Sequence, residues 1–257
     1  MNRFFALLLV VGLVSGAAVA GTIPAGWSCT GNCGTGGADG VVTLGPSGNP
    51  YEWISTAGGL YGNGSSLGLG AETDGSVLTS STFSATAGDP LHFYFNFVTS
   101  DGAGYADYAW VKLVNAGTLA EVLLFTARTT PGGDTVPGFG MPAIAAGVTL
   151  APPTTPIIPG GPLWSPLGGW SGTCYSTGCG YTGWIGSNYT IGGTGSYYLQ
   201  FGAVNWIDGI YDTGLAIDDV TVHGTPIPGQ VPEPGTLVLL GSGLLGLAGT
   251  IRRRFAR

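Results

Sequence analysis

Charge is scarce along this chain of 257 residues, and positive charge is scarcest, with seven Lys and Arg against fourteen Asp and Glu and only two His. Arg3 and the four arginines at 252, 253, 254 and 257 lie in the end segments. Residues 21–230 therefore keep only Lys112 and Arg128 against thirteen acids, a net charge of −11. A nucleic-acid binder needs a basic footprint for the phosphates, so that class is excluded. The acidic body permits cation binding, and its self-repulsion keeps it soluble. No HExxH, phosphate loop or dinucleotide fingerprint occurs. Long amphipathic helical patterns are missing too, as is the G-X-Y period that 49 glycines would need to make collagen.

What is present is a series of short apolar or alternating runs between Gly, Pro, Asn and Asp turns. Val41–Leu44, Ser76–Ala85, Leu91–Thr99, Ala109–Val114, Glu121–Ala127, Gly183–Ser187, Ser196–Val204 and Leu215–Val222 read as strands rich in β-branched and aromatic residues. In His92-Phe93-Tyr94-Phe95-Asn96-Phe97 every second residue is Phe, so one face points to a core. This spacing predicts an all-β fold, a β-sandwich or jelly roll occupying about residues 21–228. Between residues 129 and 166 the pattern fails. Nine prolines crowd that segment, and only Gly147–Leu150 reads as a strand. It is a long loop over the sandwich or a linker between two small domains. The flanking segments look like halves of one sandwich, which favours the loop.

Four cysteines form two tight pairs in sequence, Cys29 with Cys33 and Cys174 with Cys179. In an oxidising compartment disulfides are the default, and local pairing is the preferred of three connectivities. The rival is a four-cysteine zinc site, which the long separation and the compartment disfavour. His92 and His223 read as structural or surface residues. Gly64-Ser65-Ser66-Leu67-Gly68 matches the Gly-x-Ser-x-Gly pattern, but it lies in a glycine-serine tract with no helix following, where a nucleophile elbow needs a strand-to-helix turn.

The carboxylates are the more informative set. Asp101 and Asp107 flank a turn between two strands, and Asp208, Asp212, Asp218 and Asp219 surround the last ones. If the first and last parts of the sandwich pair, these loops meet. Asp101, Asp107, Asp218 and Asp219 are then candidate ligands of a structural calcium, the one cofactor considered. The bland reading is that Asp caps turns with its own side chain. Two carboxylates could also serve a glycosidase, but nothing locates a cleft between them. Seven Trp and eleven Tyr invite a sugar-stacking reading, with Trp164, Trp170, Tyr175, Tyr181 and Trp184 as candidates around the second cysteine pair. The competing reading is that they anchor the core.

The long apolar runs are confined to the ends. Residues 1–20 carry Arg3, an apolar run from Phe4 to Val14, and Ala18-Val19-Ala20, an A-x-A cleavage site. That pattern is a secretory signal peptide. Residues 235–251 are seventeen residues without charge, enough for a thin transmembrane helix, and Arg252, Arg253, Arg254 and Arg257 follow as a cytoplasmic stop. Pro232-Glu233-Pro234, the apolar segment and the arginines together resemble the PEP-CTERM sorting signal over residues 231–257. That resemblance implies a Gram-negative bacterium making exopolysaccharide or biofilm. It also implies a transient inner-membrane anchor, cut near the motif by an exosortase, an intramembrane protease. The chain would be its substrate, released to the cell surface or extracellular matrix; a permanent anchor is the alternative. FYFNFVTSDGAGYADYAWVKL and FGAVNWIDGIYDTGLAIDDVTV are similar to segments of secreted bacterial β-sandwich proteins with the same anchor, and GLAIDDVTV resembles the last strand of MAM-type jelly-roll domains. The expectation is a non-catalytic structural or adhesive protein. The alternatives are a glycan-binding module of the exopolysaccharide matrix and a secreted hydrolase.

Overall fold

The computed structural model describes residues 22–229. The signal peptide with Ala18 and Ala20, the Pro232–Pro234 motif, the transmembrane segment and the arginine tail lie outside the described residues. Among the described residues no helix is long and apolar enough to cross a membrane.

Among the described residues eighteen strands follow one another. They are β1 (Ser28–Thr30), β2 (Asn32–Gly36), β3 (Tyr51–Ser55), β4 (Leu60–Tyr61), β5 (Glu72–Thr79), β6 (Phe83–Ala85), β7 (Pro90–Thr99), β8 (Tyr108–Asn115) and β9 (Glu121–Arg128). Then come β10 (Asp134–Val136), β11 (Thr149–Ala151), β12 (Thr155–Pro156), β13 (Ile158–Pro159), β14 (Gly180–Tyr181), β15 (Ile185–Thr190), β16 (Gly195–Trp206), β17 (Thr213–Val222) and β18 (Thr225–Pro226). One sheet has the order β11-β15-β7-β17-β3-β2, with β14 pairing the last residues of β7 past the end of β15, β13 pairing β14, and β18 pairing β17. The other has the order β1-β5-β16-β8-β9, with β4 on β5 and β6 on β16. All pairings between these strands are antiparallel. Strands from before and after residues 129–166 share both sheets, so that segment runs across one sandwich; its β11 and β13 join the first sheet, and β10 and β12 pair with each other as a separate two-stranded ribbon.

The core lies between the sheets. Phe93, Phe95 and Phe97 of β7 point into it with Leu215 and Ile217 of β17 and Ile54 of β3. Leu199 and Phe201 of β16, Val111 and Leu113 of β8 and Phe125 of β9 meet them from the other sheet. Phe95 and Phe125 rings approach to 3.7 Å between centroids, and Phe93 meets Phe201 edge-on at 6.3 Å. Each buried Phe contributes about 1.5–3 kcal/mol by leaving water. Both outer faces are also covered. Tyr51, Trp53, Val98 and Ala216 lie under Val42, Trp164 and Leu167 on one side, and Tyr108, Trp110 and Val204 lie under Leu67, Leu69 and Met141 on the other.

Several boundaries differ from the sequence expectation. Val41–Leu44 is not a strand: Asp39 and Val42 bridge in a tight turn, and Val42 is driven under the outer cover rather than into a sheet. Ser76–Ala85 is two strands. Ser80 Oγ accepts the Leu199 N–H at 2.9 Å, replacing a ladder carbonyl where the strand breaks. Tyr51–Ser55 is a strand the pattern does not reveal. Both its faces are buried, so no polar alternation marks it.

Candidate functional site

Three connections meet at one end of the sandwich: residues 100–107 between β7 and β8, residues 171–178, and residues 207–212 between β16 and β17. Backbone bonds lock them together. Tyr175 N–H donates to Ser100 O at 3.0 Å, Ala103 N–H to Thr177 O at 2.9 Å, and Ser100 N–H to Asp212 O at 3.1 Å. The Cys174–Cys179 disulfide, with Cα atoms 5.6 Å apart, closes the middle connection. Cys29–Cys33 closes the β1–β2 hairpin in the same local fashion, and no cysteine is free, so the zinc alternative falls.

These loops carry a continuous row of rings. Trp170 stacks on Tyr211 at 4.2 Å, Tyr211 meets Tyr175 at 5.1 Å, and Tyr175 meets Tyr105 edge-on at 5.3 Å. Tyr175 is 49% exposed, and Ile207 and Ile210 beside it are about half exposed at 52% and 47%. Ile207 and Tyr211 have φ of 77° and 59°, left-handed values that non-glycine residues adopt at a penalty of about 1–3 kcal/mol. The Ile207 N–H bond to Ala71 O at 2.7 Å and the Ile210 N–H bond to Asp208 Oδ1 at 3.0 Å hold that turn.

Carboxylates lie beneath the rings. Asp101 is 1% exposed; its Oδ1 accepts the Gly102 N–H at 2.6 Å and its Oδ2 has no partner. Burial, opposed by that bond and reinforced by Asp208, pushes its pKa up to about 7. Asp107 is fully enclosed, accepting Trp206 N–H at 2.8 Å and the Thr213 hydroxyl at 2.7 Å; burial, with repulsion from Asp101, pushes it well up. Asp212 is raised to about 6 by burial, against hydrogen bonds from Thr56 and Asn205. The Tyr175 hydroxyl raises the Tyr105 pKa, with Asp208 and Asp101 adding to it.

The four aspartates considered for calcium are not brought together. Asp107 borders Thr213 at the start of β17, whereas Asp218 lies five residues along that strand, about 17 Å away at 3.4 Å per residue. Asp218 is spent on the 45–48 turn, accepting the Ser47 N–H at 2.8 Å and its hydroxyl at 2.7 Å. Among the described residues no three His, Cys, Asp or Glu are grouped to hold a metal.

The aromatic candidates divide. Trp170 and Tyr175 belong to the ring row. Trp164 does not: it is fully buried, its Nε1 donating to the Tyr51 hydroxyl at 3.0 Å, because the Pro-rich segment folds down over the outer face of the sheet. Tyr181 and Trp184 are half-buried against that same outer cluster, Trp184 meeting Tyr51 edge-on at 5.6 Å. Sequence reasoning missed Tyr105 and Tyr211. Both sit beside aspartates already singled out, and that adjacency was the available signal.

Two hollows lie elsewhere. A cleft of about 440 Å³ opens on the outer face between β2 and residues 165–168, lined by Trp53, Tyr51, Asp39 and Asn32 among others. A smaller one, about 290 Å³, borders the Gly64–Gly68 tract. Ser65 there is 4% exposed and spends its carbonyl on Trp110 Nε1 at 2.6 Å. Neither histidine reaches it, since His92 bonds Asn188 at 2.8 Å and His223 faces Asp89 at 3.7 Å. Its one carboxylate, Glu72, feels a desolvation that raises its pKa. Hydrogen bonds from the Leu69 and Gly70 N–H groups and the Tyr108 hydroxyl outweigh that and bring it down to about 2, so it is a poor base.

Residues 230–254 match the PEP-CTERM protein-sorting motif. The chain carries that motif. No curated protein sequence matches it as a relative. Among solved structures, two cleaved adhesin domains of Lys-gingipain from Porphyromonas gingivalis are similar in outline. One, at 12% identity and a TM-score of 0.36, covers 80% of this chain and 98% of its own. The other, at 10% and 0.35, covers 78% and 93%. A carbohydrate-binding module with specific mannan recognition, at 13% and 0.37, covers 80% and 95%.

Proposed function

We propose that this is an exported, surface-sorted glycan-binding protein without catalytic activity. Its PEP-CTERM segment is handled by an exosortase, and the body is delivered to the cell surface or matrix. The observation that carries the binding reading is the row Trp170–Tyr211–Tyr175–Tyr105 at the loop end, held on a strained turn and partly open to solvent. Flat apolar rings bordered by polar groups suit the apolar faces of sugar rings, as they suit other amphipathic ligands. Asp101 and Asp208 with no base beside them favour an uncharged glycan over an acidic one. The hydrolase reading lacks support, since the Gly-x-Ser-x-Gly serines have no histidine and the cavity carboxylate is a weak base.

Native-gel retardation tests this. The exported protein, disulfides intact, should be retarded by at least one neutral polysaccharide and not by alginate or hyaluronate. Free migration through every neutral polysaccharide would overturn the reading.

A further inference from the structure

The 440 Å³ cleft on the outer face is built differently from the loop end, and three observations point to what it holds. Trp53 lines it while only 7% exposed, and its indole N–H has no hydrogen-bond partner among the described residues. The N–H is not among the buried, unpartnered polar atoms of the fold, so it opens on the cleft and is free to donate to what enters it. Tyr51 accepts the Trp164 indole proton at 3.0 Å, which leaves the Tyr51 hydroxyl its own proton to donate. Asp39 accepts the Ser165 N–H through Oδ2 at 2.7 Å, and Asn32 donates its amide to Ala57 O at 2.5 Å. One carboxylate oxygen and one amide oxygen therefore remain as acceptors.

The flank of the cleft is glycine. A Cβ on Gly34 would sit 2.5 Å from Trp53 Cζ2, so only glycine lets the indole lie across β2, and a Cβ on Gly37 would meet nothing within 4 Å. The result is an indole wall with two donors, two acceptors and backbone opposite, inside the usual volume of small-ligand sites. Both bases of the body are elsewhere: Lys112 pairs with Glu121 at 2.7 Å, and Arg128 lies over Trp206 at 4.5 Å. An acidic ligand would meet Asp39 with no countercharge.

We propose that the cleft is a second carbohydrate subsite, holding one terminal uncharged glycosyl unit against Trp53 and hydrogen-bonding it through Trp53 Nε1, Asp39 and Asn32. This rests on the glycan reading of the loop end and extends it. Gly168 lines the cleft and Trp170 begins the ring row, so their Cα atoms are at most about 7 Å apart, and one chain can engage both.

The test follows the tryptophan indole N–H signals of the exported protein by ¹H–¹⁵N NMR, with the Trp53 signal assigned from Trp53→Phe. The probes are methyl glycosides of glucose, mannose, galactose, N-acetylglucosamine, glucosamine and glucuronic acid. The Trp53 signal should move saturably with at least one uncharged glycoside and stay still with the glucuronide. Trp53→Phe keeps an aromatic wall but loses the donor, and should weaken that binding at least tenfold, as should Asp39→Asn, with folding verified by unchanged methyl dispersion. No shift with any uncharged glycoside, a shift confined to the glucosamine probe, or full-affinity binding by Trp53→Phe would each overturn the subsite. Polysaccharide retardation of the same samples separates the two ideas. If the cleft fails while retardation persists and depends on Tyr211, only the subsite is lost; if retardation is absent while Trp53 responds, the loop-end reading is lost.

Discussion

Asp101 is buried with one oxygen unpartnered, so folding penalises its ionised form. Its pKa is about 7 in the fold, against about 3.9 in an unfolded chain. Between those values the folded state binds more protons, so this group's effect on stability worsens as pH rises from about 4 to about 7 and then levels off. Asp212, at about 6, acts in the same direction over a narrower window. Glu72 acts oppositely: its pKa near 2 contributes stability above about 4.3, lost as pH falls toward 2. The melting temperature should therefore peak in mild acid, near pH 4–5. Asp101→Asn keeps the Gly102 bond and removes the charge. It should raise the melting temperature at pH 8 by a few degrees and leave it nearly unchanged at pH 4, about 2–4 °C corresponding to 1 kcal/mol at this size. Parallel pH curves for the two proteins would contradict this. At this scale the sequence was legible for Asp101 and Asp107 as one turn set, whereas Asp218 lies along β17. Of the two readings given for Trp164, the core one holds, because the Pro-rich segment folds over Tyr51.

Strands were readable where alternation or an apolar run marked them, and β8 and β17, buried on both faces, were read by their apolar runs. The Phe alternation of β7 marks its core side directly, whereas Tyr51–Ser55 has buried residues on both faces and no period to show. Loop pairing across the end of the sandwich is a tertiary fact, which is why Tyr105 and Tyr211 stayed hidden. The cysteine spacings did foretell two local bridges. Cys174–Cys179 bounds the loop that presents Tyr175, so the double variant Cys174→Ser/Cys179→Ser should cost about 2 kcal/mol by the loop-entropy model. It should also weaken glycan binding by more than Cys29→Ser/Cys33→Ser does. Equal effects on binding by calorimetry would detach the loop from the site.

At the scale of the molecule, the PEP-CTERM motif marks an exported protein with a C-terminal membrane-anchoring sorting signal, and release from that anchor is part of the proposal. Intact mass of the protein from native cells and medium should show loss of residues 1–20 and of the chain beyond the Pro232–Pro234 motif; a membrane-bound form keeping Arg252–Arg257 would mean a permanent anchor instead. The loop-end rings are proposed to bind an uncharged glycan. The most direct test is calorimetric titration of the wild type and of Trp170→Ala/Tyr211→Ala with the neutral polysaccharide that retards the protein. The account predicts at least a tenfold loss of affinity, about 1.4 kcal/mol, with the sandwich still folded. Undiminished affinity in the folded double variant would contradict it.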